Sequence, residues 1–154
     1  MNSPLQLEHY FFQRMHCVAE PSITIEDIEA WHAADLSRFE LRVEAGNNPD
    51  LERQWQVQVD LRSNPDFPEP APYDLHFTAI GLFCVDESFD HDDLERLIRV
   101  NGASVLYSAM RELVALFTSR APWGAVKLPT VNFRLLTPAE SQRTERTDED
   151  DQHY

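Results

Sequence analysis

Four stretches of the chain alternate apolar and polar residues with the period of two that half-buried strands show. The clearest runs from Gln54 to Leu61, where Trp55 and three aliphatic residues alternate with glutamine and aspartate. Residues 39–44 repeat the pattern, and residues 73–85 place an apolar side chain at nearly every odd position. A rougher stretch covers Leu5 to Val18, where Tyr10-Phe11-Phe12 breaks the alternation. The pattern predicts four strands.

The connections between these stretches predict how the strands pair. Gly46 to Asp50 and Asn64 to Pro72 are dense in residues that favour turns and cannot continue a strand ladder. Short connections between sequential strands imply antiparallel pairing. Between the first and second strands, Ile25 to Asp35 predict a short helix over one sheet edge, with Trp31 packed beneath it.

After the fourth strand the apolar spacing becomes helical. Asp90 is expected to cap a short crossover helix, which Asn101-Gly102 interrupts. A longer helix is predicted from Ser104 to Ser119, and apolar residues cover more than half of its surface. Such a helix needs a second apolar partner besides the sheet, which predicts contact with another subunit. The predicted fold class is α+β, a four-stranded antiparallel sheet with the long helix and the short crossover helix on one face.

The C-terminal residues are almost wholly polar. Thr137 to Glu140 have the form of a capping box, and from Thr144 onward acidic residues cluster with no apolar residue before Tyr154. We therefore expect a single domain over residues 1–143 and a disordered acidic tail over residues 144–154.

The formal charge of −14, from 27 acidic and 13 basic residues, excludes some partners. Binding to nucleic acid or an anionic membrane depends on basic side chains, so neither is expected. No apolar run approaches the roughly 18 residues of a membrane span, and no secretory signal is visible. Cys17 and Cys84 lie in separate predicted strands and are interpreted as reduced core cysteines of a cytoplasmic protein.

No residue pattern in the chain supports catalysis. The four glycines form no phosphate-binding loop, and the six histidines are scattered. His9 and His16, seven residues apart on one strand, are expected on opposite faces. The acidic run from Asp86 to Asp93 lacks the spacing of a calcium loop and is interpreted as a solvated helix start. No enzyme activity, metal or cofactor is expected.

The stretch from Val100 to Phe133 resembles the SecB export-chaperone family. The landmarks of that family occur here in the same order and at similar spacing: Gly81-Leu82-Phe83, Arg111-Glu112, Ser119-Arg120 and Leu128-Pro129-Thr130-Val131-Asn132-Phe133. A weaker likeness extends the match to residues 5–136. The resemblance implies an assembly of two dimers into a homotetramer that binds unfolded polypeptide clients without ATP.

The resemblance also implies where a client and another subunit would bind, on apolar side chains of a soluble, charged body. The expected client-binding residues are Tyr10, Phe11, Phe12, Leu97, Ile98, Trp123, Phe133 and Leu135, and the expected interface residues are Met110, Val114 and Phe117. The translocation ATPase SecA or an antitoxin is a possible partner, although His76 falls near an acidic position through which the family docks SecA.

Two other functions fit the same predicted strands and helices. A small-ligand carrier or an enzyme of hot-dog-like fold would wrap the sheet around the long helix and place polar groups in the pocket. Its distinguishing feature would be a buried carboxylate or histidine facing the helix, with Asp74 and His76 as the nearest candidates. The third possibility is a structural subunit whose apolar surface serves only self-assembly.

Overall fold

The computed structural model describes residues 1–31, 35–89 and 92–136. Its strands and helices, in chain order, are β1 (Leu5–Ala19), α1 (Ile25–Ala30), a 3-10 turn (Leu36–Arg38), β2 (Phe39–Asn48), β3 (Leu51–Ser63), β4 (Tyr73–Val85) and α2 (Leu94–Ser119). The strands form one antiparallel sheet in the order β1-β4-β3-β2. The predicted fold class is confirmed. The proposed cap Asp90, the capping box at 137–140 and the acidic tail lie outside the described residues.

Two irregularities in β1 explain its rough sequence pattern. The pairing with β4 shifts register between Leu7 and His9 and again between Phe12 and Arg14. Because each shift adds one residue, it reverses which positions face the helix. The side chains on the helix side are therefore those opposite the odd-numbered residues of β4: Leu5, Leu7, Tyr10, Phe12, Met15, Cys17 and Ala19.

The same irregularities overturn one expectation. Because the second shift lies between His9 and His16, both histidines face away from the helix, opposite Leu82 and His76 of β4. The prediction that they point to opposite faces is wrong.

Helix α2 runs without interruption through Asn101-Gly102, so the predicted break into two helices is wrong. The glycine serves packing instead. A Cβ at Gly102 would lie 2.8 Å from Cγ2 of Val57 and 3.2 Å from the Phe83 ring. On the strand below, a Cβ at Gly81 would lie 2.9 Å from Leu106 of the helix. The helix and the sheet approach closely because neither glycine has a side chain.

The core lies between α2 and the helix side of the sheet. Val57, Val59 and Leu61 of β3 are fully buried there, as are Leu106 and Met110 of α2. The connection from β1 to β2 contains α1, which begins with a capping box formed by Thr24 and Asp27. Trp31 then packs edge-on against the rings of Phe39 and Tyr73, with centroids 6.2 and 6.4 Å away. Trp31, at the C-terminal end of α1, therefore packs against the core.

Residues 120–136 return along α2 in extended form, and buried hydrogen bonds hold them. The hydroxyl of Thr118 accepts from the backbone N–H of Val126 at 2.7 Å. The hydroxyl of Tyr107 donates to the carbonyl of Pro129 at 2.6 Å, and its ring contacts Phe133 edge-on. This return segment therefore covers one side of α2.

Replacing Gly102 with valine tests the close approach of α2 to the sheet. We expect Gly102→Val to lower the free energy of unfolding by about 2 kcal/mol, because the added methyl groups collide with buried side chains. Ser104→Val, on the exposed side of the same helix, should change it by no more than about 0.5 kcal/mol. Urea unfolding measures both. Equal effects would contradict the packing role of Gly102.

Removing the hydroxyl of Tyr107 tests the attachment of the return segment. Tyr107→Phe leaves the partly buried carbonyl of Pro129 without its donor and should cost about 1 kcal/mol of stability. Burial raises the pKa of Tyr107 to about 12. The unfolded tyrosine ionises near its usual pKa of about 10, so wild-type stability is complete below that pH and falls as the pH rises toward 12.

The alkaline fall should be shallower in Tyr107→Phe, as followed by thermal melts between pH 8 and 11. Tyr10→Phe, which removes an exposed hydroxyl, is the control at neutral pH. A variant with unchanged stability at pH 8 would show that the Tyr107–Pro129 hydrogen bond does not hold the return segment.

Candidate functional site

Strand β1 exposes large apolar side chains on both of its faces. On the helix side, Tyr10 is 44% exposed and Met15 is 54% exposed. On the opposite side, Phe11 is 42% exposed and Val18 is 51% exposed. Strand β1 is also an edge strand, with β4 as its neighbour and no strand on the other side in the described sheet. An apolar edge strand is a template for pairing with another chain.

The other edge strand, β2, lacks this character. Its exposed side chains include Arg42 and Glu44, and its apolar residues on the helix side are buried or half-buried. Charged side chains protect an edge against unwanted pairing. The two edges of the sheet therefore differ, and β1 is the one suited to contact with another polypeptide.

Helix α2 extends the apolar surface of β1. The ring of Phe117 is 40% exposed and lies 5.8 Å from the ring of Phe77. Met15 is the cross-strand partner of Phe77, so Met15 and Phe117 both border that ring. Tyr10 contacts Phe12 edge-on at 6.4 Å. We call the helix-side group Tyr10, Phe12, Met15 and Phe117 the β1 surface. Val105 and Leu116 are further exposed apolar residues of the helix.

Four of the residues proposed from sequence are buried inside the chain. Ile98 is fully buried, and Phe133 is 4% exposed against Tyr107, so neither presents a surface to a client. Met110 and Val114 are also fully buried, in the core beneath α2. These two cannot form the proposed subunit interface, because the sheet of their own chain already covers them. Phe117 alone of the three interface candidates reaches the surface.

The remaining candidates lie in three places. Tyr10 and Phe11 are exposed on opposite faces of β1, and Phe12 is half-buried beside them. Leu97 is half-buried near the start of α2, and Leu135 is 76% exposed at the end of the return segment. These two segments meet where Arg99 Nη2 donates to the carbonyl of Leu136 at 3.4 Å.

Trp123 lies at the opposite end of the return segment. Its indole N–H donates to the carbonyl of Glu20, and its backbone N–H donates to the hydroxyl of Tyr73. Together with Trp31, which packs on the same tyrosine, it places aromatic rings where β1 ends and β4 begins.

A pocket of about 550 Å³ opens at this end of the sheet. We call it the proline-loop pocket, because residues 64–71 between β3 and β4, which include three prolines, form much of its wall. Trp31, Phe67 and Tyr73 supply aromatic surface, and Arg38 supplies a buried cation. Sequence reasoning missed this pocket, since it had interpreted the proline-rich stretch only as a turn.

The sheet face away from the helix carries a hydrogen-bonded polar network. The carboxylate of Asp60 accepts from the hydroxyl of Thr78 and from Nε2 of His76, the latter at 3.0 Å. Nη1 of Arg14 donates to Nδ1 of His76, also at 3.0 Å. In this arrangement Nδ1 of His76 accepts a hydrogen bond and Nε2 donates one. This network links β1, β4 and β3, and its groups already satisfy one another.

A ligand pocket of hot-dog type would need Asp74 or His76 to face the helix. Neither residue does so. Asp74 is exposed on the other side of the sheet, where its carboxylate lies 3.1 Å from Nε2 of His16. Within residues 1–31, 35–89 and 92–136, the buried side chains between α2 and the sheet include no carboxylate and no histidine.

The two cysteines are free thiols on opposite faces of the sheet. Cys17 faces the helix side, opposite Leu75, and Cys84 faces the other side, opposite Gln6. Partial burial, with a smaller contribution from Asp74, raises the pKa of the Cys17 thiol.

The described residues lack two further features, a cluster of metal ligands and a membrane-spanning helix. No group of three or more histidine, cysteine or acidic side chains there could hold a metal ion. No helix in that part of the chain is both long and apolar enough to cross a membrane.

Among solved structures, the chain resembles the SecB-like chaperone Rv1957 of Mycobacterium tuberculosis, which was solved in complex with a peptide of the antitoxin HigA1. The TM-score is 0.53 at 18% sequence identity, over 82% of this chain and 90% of the other. A protein of unknown function from Streptococcus agalactiae matches less well, with a TM-score of 0.40 at 16% identity over 83% of this chain and 94% of that one. No protein-family model and no curated protein matches the chain.

The chain therefore has a SecB-like fold, as the sequence landmarks had indicated. At 18% identity the likeness to Rv1957 concerns the fold, and the function has to be argued from the surfaces of this chain.

Proposed function

We propose that this protein is an ATP-independent chaperone that holds non-native polypeptides in the cytoplasm and catalyses no reaction. The observation that carries the proposal is the apolar exposure of β1 on both faces, continued by α2, in a chain of net charge −14. Burial of apolar surface is non-directional, so such a surface binds many sequences. The strong negative charge keeps a protein with exposed apolar side chains soluble.

The binding mode follows from the backbone of β1. An extended segment of client can hydrogen-bond to the unpaired edge of β1 and place alternate side chains against Phe11 on one face and Tyr10 on the other. Main-chain hydrogen bonds are independent of client sequence. This mode suits a protein that must accept unfolded segments of varied composition.

Assembly into a homotetramer is the second part of the proposal. A helix that covers the sheet with one side and still exposes Val105, Leu116 and Phe117 has apolar surface left for another subunit. The β1 surface continues that patch at the sheet edge. In the tetramer, clients would bind to the parts of β1 and of the proline-loop pocket that the other subunits do not cover.

We propose the chemical class of the natural client, which is an unfolded polypeptide segment. Rv1957 was solved with an antitoxin peptide, which supports a polypeptide as the ligand of the fold they share. An antitoxin and a protein awaiting export are both unfolded segments of this kind. Docking to SecA remains a weaker proposal, since the face that carries His76 holds a mixed network of Arg14, Asp60 and His76 in place of a purely acidic patch.

A small-ligand carrier or hot-dog-like enzyme is the alternative. A buried carboxylate or histidine facing the helix would favour this alternative, and the described core contains neither. A thermal-shift screen with acyl-CoA and other small molecules tests it directly, and a clear rise in melting temperature would support it.

Aggregation suppression tests the chaperone function. Equimolar protein should suppress the aggregation of a thermally unfolding client, followed by light scattering. Tyr10→Ser/Phe11→Ser should need at least about threefold more protein for the same effect, because it removes apolar contact area. Leu51→Ser is the matched control, since Leu51 is 52% exposed at the distant β2–β3 turn. No suppression by the wild type at severalfold excess would rule the function out.

The molar mass in solution tests the assembly. Multi-angle light scattering should give a mass near four times 17.8 kDa. Phe117→Glu places a charge in the apolar patch of α2 and should shift the mass toward smaller species. Ser119→Glu, exposed on the same helix, should leave the mass unchanged. A wild-type monomer would contradict the tetramer and leave the aggregation assay to decide on chaperone function.

A further inference from the structure

Arg38 is a buried cation in the wall of a pocket whose lining combines aromatic residues and prolines with the acidic residues Glu20, Glu69 and Asp74. It ends the 3-10 turn before β2, and its side chain is 6% exposed. The Phe67 ring lies over its guanidinium at 4.4 Å. Trp31 and Tyr73 line the same proline-loop pocket. Burying a charge is costly unless it is paired and hydrogen-bonded, so its hydrogen bonds show whether the site is complete.

The guanidinium is only partly satisfied. Nη2 donates to the carbonyl of Ala30 at 2.9 Å and to the carboxylate of Glu69 at 2.6 Å. Nε and Nη1 are buried and have no acceptor among the described residues. The structure thus contains unused donor capacity on a permanently charged group.

We propose that Arg38 recognises a carboxylate of the bound polypeptide, so that the proline-loop pocket selects segments in which Asp or Glu stands beside an aromatic or aliphatic residue. This inference rests on the proposed chaperone function and adds a preference to it. The unused N–H groups supply charge-assisted hydrogen bonds to the carboxylate. The aromatic walls formed by Trp31, Phe67 and Tyr73 receive the apolar neighbour of the acidic residue.

The wall in front of Arg38 can open at Glu69. The Glu69 side chain is 55% exposed, so its carboxylate can return to water when a ligand carboxylate takes its place. Because the Arg38 side chain is buried, the exchange keeps the cation paired only when the incoming carboxylate takes over the hydrogen bond that Glu69 gives up. Phe67, whose ring lies over the guanidinium, is two positions away from Glu69 on the same loop.

The overall charge opposes this preference. A chain of charge −14 repels an acidic peptide at long range, whereas the contact with Arg38 acts over a few ångströms. At about 0.15 M salt the Debye length is roughly 8 Å, so the long-range repulsion is screened and the buried contact is not. Tighter binding of the acidic peptide would therefore reflect its contact with Arg38 in the proline-loop pocket.

Two peptides that differ in one group test the proposal. Both are unstructured, carry a fluorescent label and are blocked at the two termini; one has Phe-Glu-Leu at its centre and the other has Phe-Gln-Leu. We expect the glutamate peptide to bind about tenfold more tightly in fluorescence anisotropy titrations at 0.15 M salt. Blocked termini leave the glutamate side chain as the carboxylate that can reach Arg38.

Variants of the pocket assign the preference to Arg38. Glu69→Gln removes the competing carboxylate and should increase the ratio of the two affinities. Arg38→Met should reduce the ratio to about one, with circular dichroism to check its fold. Glu87→Gln is the control, because it removes the same charge from an exposed residue that pairs with Arg53 away from the pocket.

The outcomes of the peptide titrations distinguish failure of the Arg38 proposal from failure of the proposed chaperone function. Equal binding of the two peptides, or a ratio that Glu69→Gln leaves unchanged, overturns the role of Arg38 while the chaperone function stands. Failure of both peptides to bind, when an unfolded protein still does, overturns it as well. If the unfolded protein also fails to bind, the chaperone function itself fails and the inference falls with it.

Discussion

Helix α2 lies against the sheet at a distance that only a missing side chain allows. Gly102 on the helix and Gly81 on β4 bring the two backbones together, and Val57, Phe83 and Leu106 fill the space around them. The core, the return segment held by Tyr107 and the exposed apolar side of α2 all depend on this contact. If the helix moved outward, the return segment would lose its hydrogen bonds, and a cavity would open where side chains now pack.

The apolar pattern was sufficient to predict the sheet and the class of fold, because one buried face imposes a strict period on each strand. Prediction from the apolar pattern failed where the same short stretch of sequence is compatible with two local structures. Asn101-Gly102 has the composition of a helix end, yet the same glycine permits close packing, and only the position of Val57 opposite it decides between them. In β1 the break at Tyr10-Phe11-Phe12 marked an irregularity, but the sequence could not show that register shifts occur on both sides of it.

The functional surfaces were harder to predict than the fold, since exposure depends on what other segments cover. Ile98 and Phe133 have the same apolar chemistry as Leu97 and Leu135, yet the first two pack into the core, whereas Leu97 is half-buried and Leu135 is exposed. Met15 and Val18 were missed for the opposite reason: they lie where an edge strand would be expected to bury or avoid such residues. Arg38 gave no signal at all, because its burial results from a loop that begins 26 positions later in the chain.

The register shifts in β1 also limit how far its exposed edge can grow. Strand β1 has 15 residues where β4 has 13, and the two additional residues are those that the shifts leave without partners. A regular strand laid along the full edge would lose register at each of these places, so continuous pairing is confined to short runs. A protein that carries an apolar edge strand thereby avoids serving as a template for endless stacking of copies of itself, and it can still pair with short extended segments of other chains.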